Sequence, residues 1–168
     1  MALWRLYYHL VWSTKDRRPL ITEQIEQEVY GYIIGKSNAQ GAIVHAIGGI
    51  ETHVHVVASI PPKLSIADYA KSVKGSSAFH INHGPMRHLV TLRWQGGYGV
   101  FSMGSKQVAD AIAYVRNQKE HHRNGTLIEL LERDEDDDNG PQLWDAGAAL
   151  QGIPIITPPP SGTDTDDE

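Results

Sequence analysis

The chain has 168 residues, 40% of them hydrophobic and 21% charged, with no cysteine and a formal net charge of -5. That length suits one domain whose core stands without disulfide staples. The absence of cysteine excludes disulfides and thiolate metal ligands, and with no membrane-length apolar run and no signal-peptide pattern the expectation is a soluble cytoplasmic protein.

Residues 4–13 alternate apolar and polar, with Trp4, Leu6, Tyr8, Leu10 and Trp12 on one face, which predicts a strand. A basic connection follows at 14–19, carrying Lys15, Arg17 and Arg18. Thr22 is placed to cap a helix with Glu23 and Glu26 in its first turn, and Ile25, Val29, Tyr32 and Ile33 form its core-facing stripe. Residues 42–47 predict a second strand. Gly48 and Gly49 then read as a turn into a third strand over 51–60, ended by Pro61 and Pro62. Ser65 and Asp68 resemble a capping box opening a second helix, through Tyr69, Val73 and Phe79. Residues 89–94 and 98–103 read as strand pieces. A third helix is expected from a Ser105 cap to about His122, closed by Gly125, with a shorter helix to Arg133. The order β-α-β-β-α-β plus a further helix predicts an α+β fold, a ferredoxin-like split βαβ antiparallel sheet.

Charge divides the chain. All 15 Lys and Arg fall in residues 1–133 beside 10 acids, whereas the other 10 acids fall at 134–168 with no base among them. The expected organisation is therefore a mildly basic domain over 1–133 and an acidic, disordered tail over 134–168, in which Leu143, Trp144, Ala148 and Leu150 are the residues able to dock.

The third strand carries the first chemical signal. Side chains alternate along a strand, so Val54, Val56, Ala58 and Ile60 share one face while His53 and His55 share the other. Two imidazoles on one rigid strand make half a metal site, although an H-x-H pair is also ordinary strand surface. The second signal lies on the third helix, where Val108, Ile112 and Val115 form the buried stripe and Tyr114 and Gln118 are i, i+4 neighbours at its edge. A lone tyrosine there reads as core-edge packing. Together with the histidines it reads differently. Two imidazoles and an amide oxygen leave an ion with open positions for a phosphate oxygen, and a phenol one turn away is a competent nucleophile. A phosphotyrosyl linkage conserves the energy of the broken bond, so the arrangement suits strand transfer.

Four ordered stretches carry a family resemblance: residues 10–20, His53-Val54-His55, residues 94–102 and residues 114–122. They resemble the single-tyrosine HUH transposases of the insertion-sequence-200-like kind (the IS200/IS605 superfamily, including REP-associated tyrosine transposases). The resemblance implies a ferredoxin-like domain that forms a homodimer and binds single-stranded DNA hairpins. It implies a divalent metal, Mg or Mn, held by His53, His55 and Gln118, with Tyr114 as the catalytic nucleophile of a 5′-phosphotyrosine intermediate. The tyrosine helix in such proteins completes either its own or the partner's site. Glu51 and Thr52 stand where relatives often have a proline and an acid, so a contact behind the first histidine is expected to differ.

For DNA contacts, Lys15, Arg17 and Arg18 on one loop are candidates for phosphates, with Lys71 and Lys74 on the second helix. Trp94 and Tyr98 are candidates for stacking on unpaired bases. His121 and His122 read as a polar helix end, with His121 near the Tyr114 row. His9, His45, His80, His83 and His88 carry no assigned role. The rival functions are a domesticated relative processing repeat hairpins, a non-catalytic hairpin-binding protein and a plain phosphohydrolase.

Overall fold

The computed structural model describes residues 3–134, so the tail expected beyond Asp134, with its docking residues 143–150, lies outside the described residues. Four strands form one antiparallel sheet in the order β2-β3-β1-β4: β1 is Tyr7–Ser13, β2 Ile43–Ile50, β3 His53–Ser59 and β4 Gly99–Met103. Helix α1, Glu23–Ala39, joins β1 to β2, and α2, Ile66–His83, joins β3 towards β4. This is the expected ferredoxin-like topology. Among the described residues no helix is long and apolar enough to cross a membrane.

The apolar faces assemble as the alternation requires. Leu10, Trp12, Val54, Val56 and Ala58 from the sheet meet Ile25, Val29 and Ile33 of α1 and Tyr69, Val73 and Ile81 of α2 in one cluster. Tyr32 lies beside that stripe and stacks on His80, whereas Phe79 is 64% exposed and stacks on His83. Ser65 caps α2 as expected, its hydroxyl accepting from the Asp68 backbone amide at 3.0 Å.

Several boundaries differ from the sequence pattern, each for a visible reason. The first strand starts at Tyr7 because its neighbours reach no further: Tyr7 pairs with Met103, the end of β4, and Tyr8 with Ala58 of β3. Gly48 and Gly49 belong to β2, and the turn falls at Glu51 and Thr52. Gly48 is there for close approach, since a Cβ would stand 2.2 Å from the Val115 carbonyl oxygen. Residues 89–94 are irregular except for a bridge between Thr14 and Trp94. The Asn82 side chain takes the place of a strand partner there, accepting from the Leu92 amide at 2.7 Å and donating to the Leu92 carbonyl at 2.8 Å.

The third helix is also broken. A 3-10 turn at Ser105–Gln107 leads into α3, Val108–Arg116, and a separate α4 covers Gln118–Asn124. The break is Asn117, at φ -102° and ψ 20°, whose side-chain amide donates to the Ala113 carbonyl at 2.9 Å. Gly125 closes α4 in the left-handed conformation at φ 65°. A last 3-10 turn, Glu129–Glu132, leads to Asp134. Val115, Ala46 and Val57 form a small second apolar cluster where α3 packs on the sheet face opposite α1 and α2.

Candidate active site

His53 and His55 stand on β3, which lies between β2 and β1, and are 2% and 0% exposed. Burial on this scale does not fit ordinary strand surface, because a buried imidazole needs partners for both nitrogens. The partners are present. Nδ1 of His55 lies 2.8 Å from Nε2 of buried His9 on β1, and Nδ1 of His53 lies 3.1 Å from the Thr52 hydroxyl. Each contact fixes one side of its ring and turns Nε2 into the site. Thr52 thus supplies the contact behind the first histidine.

Those Nε2 atoms meet a carboxylate. Oε2 of Glu132 is 3.2 Å from Nε2 of His53 and 3.3 Å from Nε2 of His55. Its other oxygen, Oε1, accepts from the Tyr114 hydroxyl at 2.5 Å and from the Gln118 amide at 3.4 Å. His122 closes the far side, with Nε2 3.1 Å from Nε2 of His53 and 3.6 Å from Glu132 Oε2. Tyr114 is buried, its ring 6.1 Å from those of His9 and His55 and 4.7 Å from that of His121. His53, His55, Tyr114 and Gln118, singled out in the sequence by their spacing together with the family resemblance, are therefore gathered on one carboxylate within a single chain.

The electrostatics follow from burial and these contacts. Burial pushes the His9 imidazole down to about 3 and lowers His55 and His122 as well, so the rings are neutral and their lone pairs are available. Burial alone would raise the Glu132 carboxyl, but its close contacts with His53 and His55, with the Coulombic effect of His55, hold it well below the usual carboxylate range. Burial and the hydrogen bond to Glu132 raise the Tyr114 phenol, which is held neutral with its proton on the bond to Oε1.

Donor chemistry fits a divalent ion. His55 Nε2 and Gln118 Oε1 are buried without an aligned hydrogen-bond partner, as an atom reserved for a ligand would be. His53, His122 and Glu132 offer ligand atoms within 4.8 Å of one another.

The DNA candidates fall into two places. Lys15, Arg17 and Arg18 lie at the end of β1, where Asp16 and Arg17 adopt positive φ of 57° and 49°. Arg17 is engaged there: it pairs with Asp134 at 2.7 Å and donates to the Glu132 carbonyl at 3.4 Å. Lys15 pairs with Asp16 at 3.6 Å, and Arg18 is exposed. Lys71, Lys74, Trp94 and Tyr98 come together in one cleft between α2 and the 94–98 loop. Lys74 donates to the carbonyls of Gly96 and Gly97, and the Trp94 indole donates to the Ser77 hydroxyl at 3.1 Å, so both also hold that loop in place.

Sequence reasoning missed Glu132 and His9 and gave His122 only a polar helix end. For His9 a signal existed: β1 runs antiparallel to β3, and His9 pairs with Val57, beside His55. Nothing in the local pattern around Glu132 marks it.

Comparisons with known proteins point to one family. The model of the family described as "Transposase IS200 like" matches residues 2–118. The ISDra2 transposase TnpA of Deinococcus radiodurans is 28% identical over 76 residues, 45% of this chain but only 54% of that protein's length. The transposase for insertion sequence element IS200 of Salmonella typhimurium is 24% identical over 131 residues, 76% of this chain and 86% of that protein. Among solved structures, one assigned to a transposase of Deinococcus radiodurans superposes with a TM-score of 0.56 at 23% identity, covering 70% of this chain and 93% of that one. A REP-associated tyrosine transposase bound to a REP hairpin gives 0.53 at 14% identity, covering 76% of each chain. At these identities the structural matches establish the fold.

Proposed function

The chain belongs to the IS200-like transposase family, and on that premise we propose that it cuts and rejoins single-stranded DNA beside hairpins through a phosphotyrosine at Tyr114. The supporting observation is the convergence of Tyr114, Gln118, His53 and His55 on the single carboxylate of Glu132. His53, His55 and Gln118 would hold a divalent ion, Mg or Mn, whose contribution is to polarise the scissile phosphate and neutralise developing charge.

The protein's own residues perform the rest. The Tyr114 oxygen attacks phosphorus; an O–P bond forms, and the bond from phosphorus to the 3′ oxygen breaks. The phenol must give up its proton as it attacks, and Glu132 Oε1 is the acceptor it already faces. The departing 3′ oxygen takes up a proton, leaving a 5′ phosphate on Tyr114. A 3′ hydroxyl from another strand reverses the sequence, releasing tyrosine and restoring a phosphodiester, so no external energy source is needed. His53, His55, Tyr114 and Gln118 are buried among β3, α3 and α4, which limits the water able to reach and hydrolyse the linkage.

Hairpin DNA as substrate draws support from the REP-hairpin complex of the structural neighbour. Lys15 and Arg18 are the cations with which the loop after β1 would contact phosphates, and Lys71, Trp94 and Tyr98 would line a second contact in the α2 cleft.

An adduct assay tests this. Full-length protein is mixed with labelled single-stranded DNA from the flanks of its gene, with Mn or with chelator, and run on a denaturing gel. A metal-dependent covalent band that disappears in Tyr114→Phe and His53→Ala is expected. Retained DNA binding with no band for any flanking sequence would favour a hairpin-binding protein and overturn the catalytic assignment.

A further inference from the structure

A metal site built from two imidazoles and an amide carries no charge. Mg and Mn are hard ions that favour anionic oxygen, and a neutral nitrogen-rich set holds them poorly. The structure places an anionic oxygen among these groups. Oε2 of Glu132 lies 3.2, 3.3 and 3.6 Å from the Nε2 atoms of His53, His55 and His122, and the Nε2 atoms of His53 and His122 are 3.1 Å apart. Ligand atoms sharing an ion at about 2.1 Å stand roughly 3.0–3.4 Å apart in octahedral or tetrahedral arrangement. Three of these four separations fall within that range, and the fourth is slightly beyond it.

Glu132 does not reach the site by accident of a loose terminus. Asp134, two residues on, is buried and paired with Arg17 at 2.7 Å. The Arg133 carbonyl passes so close to β4 that a Cβ on Gly99 would stand 1.9 Å from its oxygen. At the other end of the segment, the Ile128 amide donates to the Tyr114 oxygen at 3.1 Å. The strand end, the absence of a side chain at Gly99 and the tyrosine itself all fix the 128–134 segment so that Glu132 faces inward.

We propose that Glu132 and His122 are metal ligands of this protein, with Glu132 Oε2 on the ion and Oε1 holding the Tyr114 hydroxyl. This rests on the reading of His53 and His55 as a metal centre and extends its donor set. One carboxylate then couples the ion to the nucleophile: Oε2 offsets part of the positive charge while Oε1 sets the phenol beside it. The segment C-terminal to the tyrosine helix becomes part of the active site.

The test is Mn binding by the full-length protein, followed through the electron paramagnetic resonance signal of the free ion, with nitrogen couplings of the bound ion as a second readout. Glu132→Gln is expected to weaken binding at least tenfold, and Glu132→Asp, which keeps the charge but shortens the reach, less. His122→Asn is expected to weaken binding and remove one imidazole coupling. Gly99→Ala, which removes no donor but pushes Arg133 and with it the segment carrying Glu132 out of position, is expected to weaken binding as well. Circular dichroism and melting confirm that each variant is folded. An unchanged affinity in Glu132→Gln would overturn the proposal. So would a tighter one, because a carboxylate that merely plugs the site competes with the ion, and removing its charge would then help binding. His53→Ala separates the two levels: if it abolishes binding while Glu132→Gln leaves the affinity unchanged, the metal centre stands and the extended donor set falls. If His53→Ala binds as well as the unaltered protein, the metal centre itself is wrong.

Discussion

The two faces of the sheet are stabilised by different physics although they share the same strands. On the α1 and α2 side, Val54, Val56 and Ala58 enter a large cluster with Leu10, Trp12, Ile25, Val29, Tyr69 and Val73. On the other side, β3 presents His53, His55 and Val57, and the apolar cluster there shrinks to Ala46, Val57 and Val115 with a few partly buried neighbours. Both faces exclude water. The first does so with non-directional apolar burial, which tolerates chemistry but not lost volume. The second does so with a network of imidazoles, a phenol, an amide and a carboxylate, held by directional contacts that leave His55 Nε2 and Gln118 Oε1 without a hydrogen-bond partner. Stability therefore resides mainly on one face and chemistry on the other, and substitutions should separate the two.

The largest separation is expected at Tyr114. Tyr114→Phe removes one oxygen and the whole covalent reaction, so the adduct should vanish on a denaturing gel. Its ring packing is kept, so the melting temperature should fall only by the small loss of the hydroxyl's bonds to Glu132 and the Ile128 amide. A large fall in melting temperature would show that the phenol braces the fold and would blur the contrast. The converse variant is Ile25→Ala on the apolar face. Deleting a fully buried isoleucine side chain costs about 2–5 kcal/mol in cores of this kind, measurable by urea denaturation. Mn affinity and adduct formation under native conditions should stay near their original levels.

Legibility in the sequence follows the same division. The apolar face was readable, because alternation in β1 and β3 and the i, i+4 stripe of α1 are local patterns that burial makes obligatory. Tyr114 and Gln118 were readable as neighbours only by treating residues 105–122 as one helix. Asn117 interrupts that helix, yet the two side chains still meet at Glu132. The hairpin turn was misplaced because Gly48 and Gly49 look like turn residues, whereas their lack of side chains serves the close packing of α3 and β3. Glu132 was illegible for a deeper reason. Its position depends on Arg17, Gly99 and Tyr114, contacts of long sequence separation that no local window contains. His9 was one alternation step from being found, since its neighbour on β3 follows from strand register.

A smaller effect concerns acid. In the folded protein burial holds His9 down to about 3, against an ordinary value of 6.5. Between those values the unfolded chain binds a proton that the native chain refuses. Stability is therefore complete above about pH 6.5 and falls as the pH drops through the window towards 3. His55 and His122, also lowered, act in the same direction. Denaturation midpoints measured from pH 7.5 down to 4 should fall, and His9→Gln should flatten the slope. An unchanged slope in that variant would assign the acid sensitivity to groups other than His9. The apolar face has no counterpart to this behaviour, so Ile25→Ala should lower the whole curve without tilting it.

The smallest expected effect is the most selective. Thr52→Val replaces a hydroxyl by a methyl of nearly the same shape, so packing changes little. What is lost is the partner of His53 Nδ1, at 3.1 Å. Contacts behind a ligating imidazole typically matter by 10–100-fold in metal affinity. Thr52 is only half-buried, so water can take over part of the role, and a loss near the bottom of that range is expected. His9→Gln provides the comparison, because His9 is buried beside His55 and no water can substitute for it. Its effect on Mn affinity should exceed that of Thr52→Val. If Thr52→Val were the more damaging of the two, His53 would be the more finely held ligand, and the orientation of the site would be set at the turn before β3 instead of within the sheet.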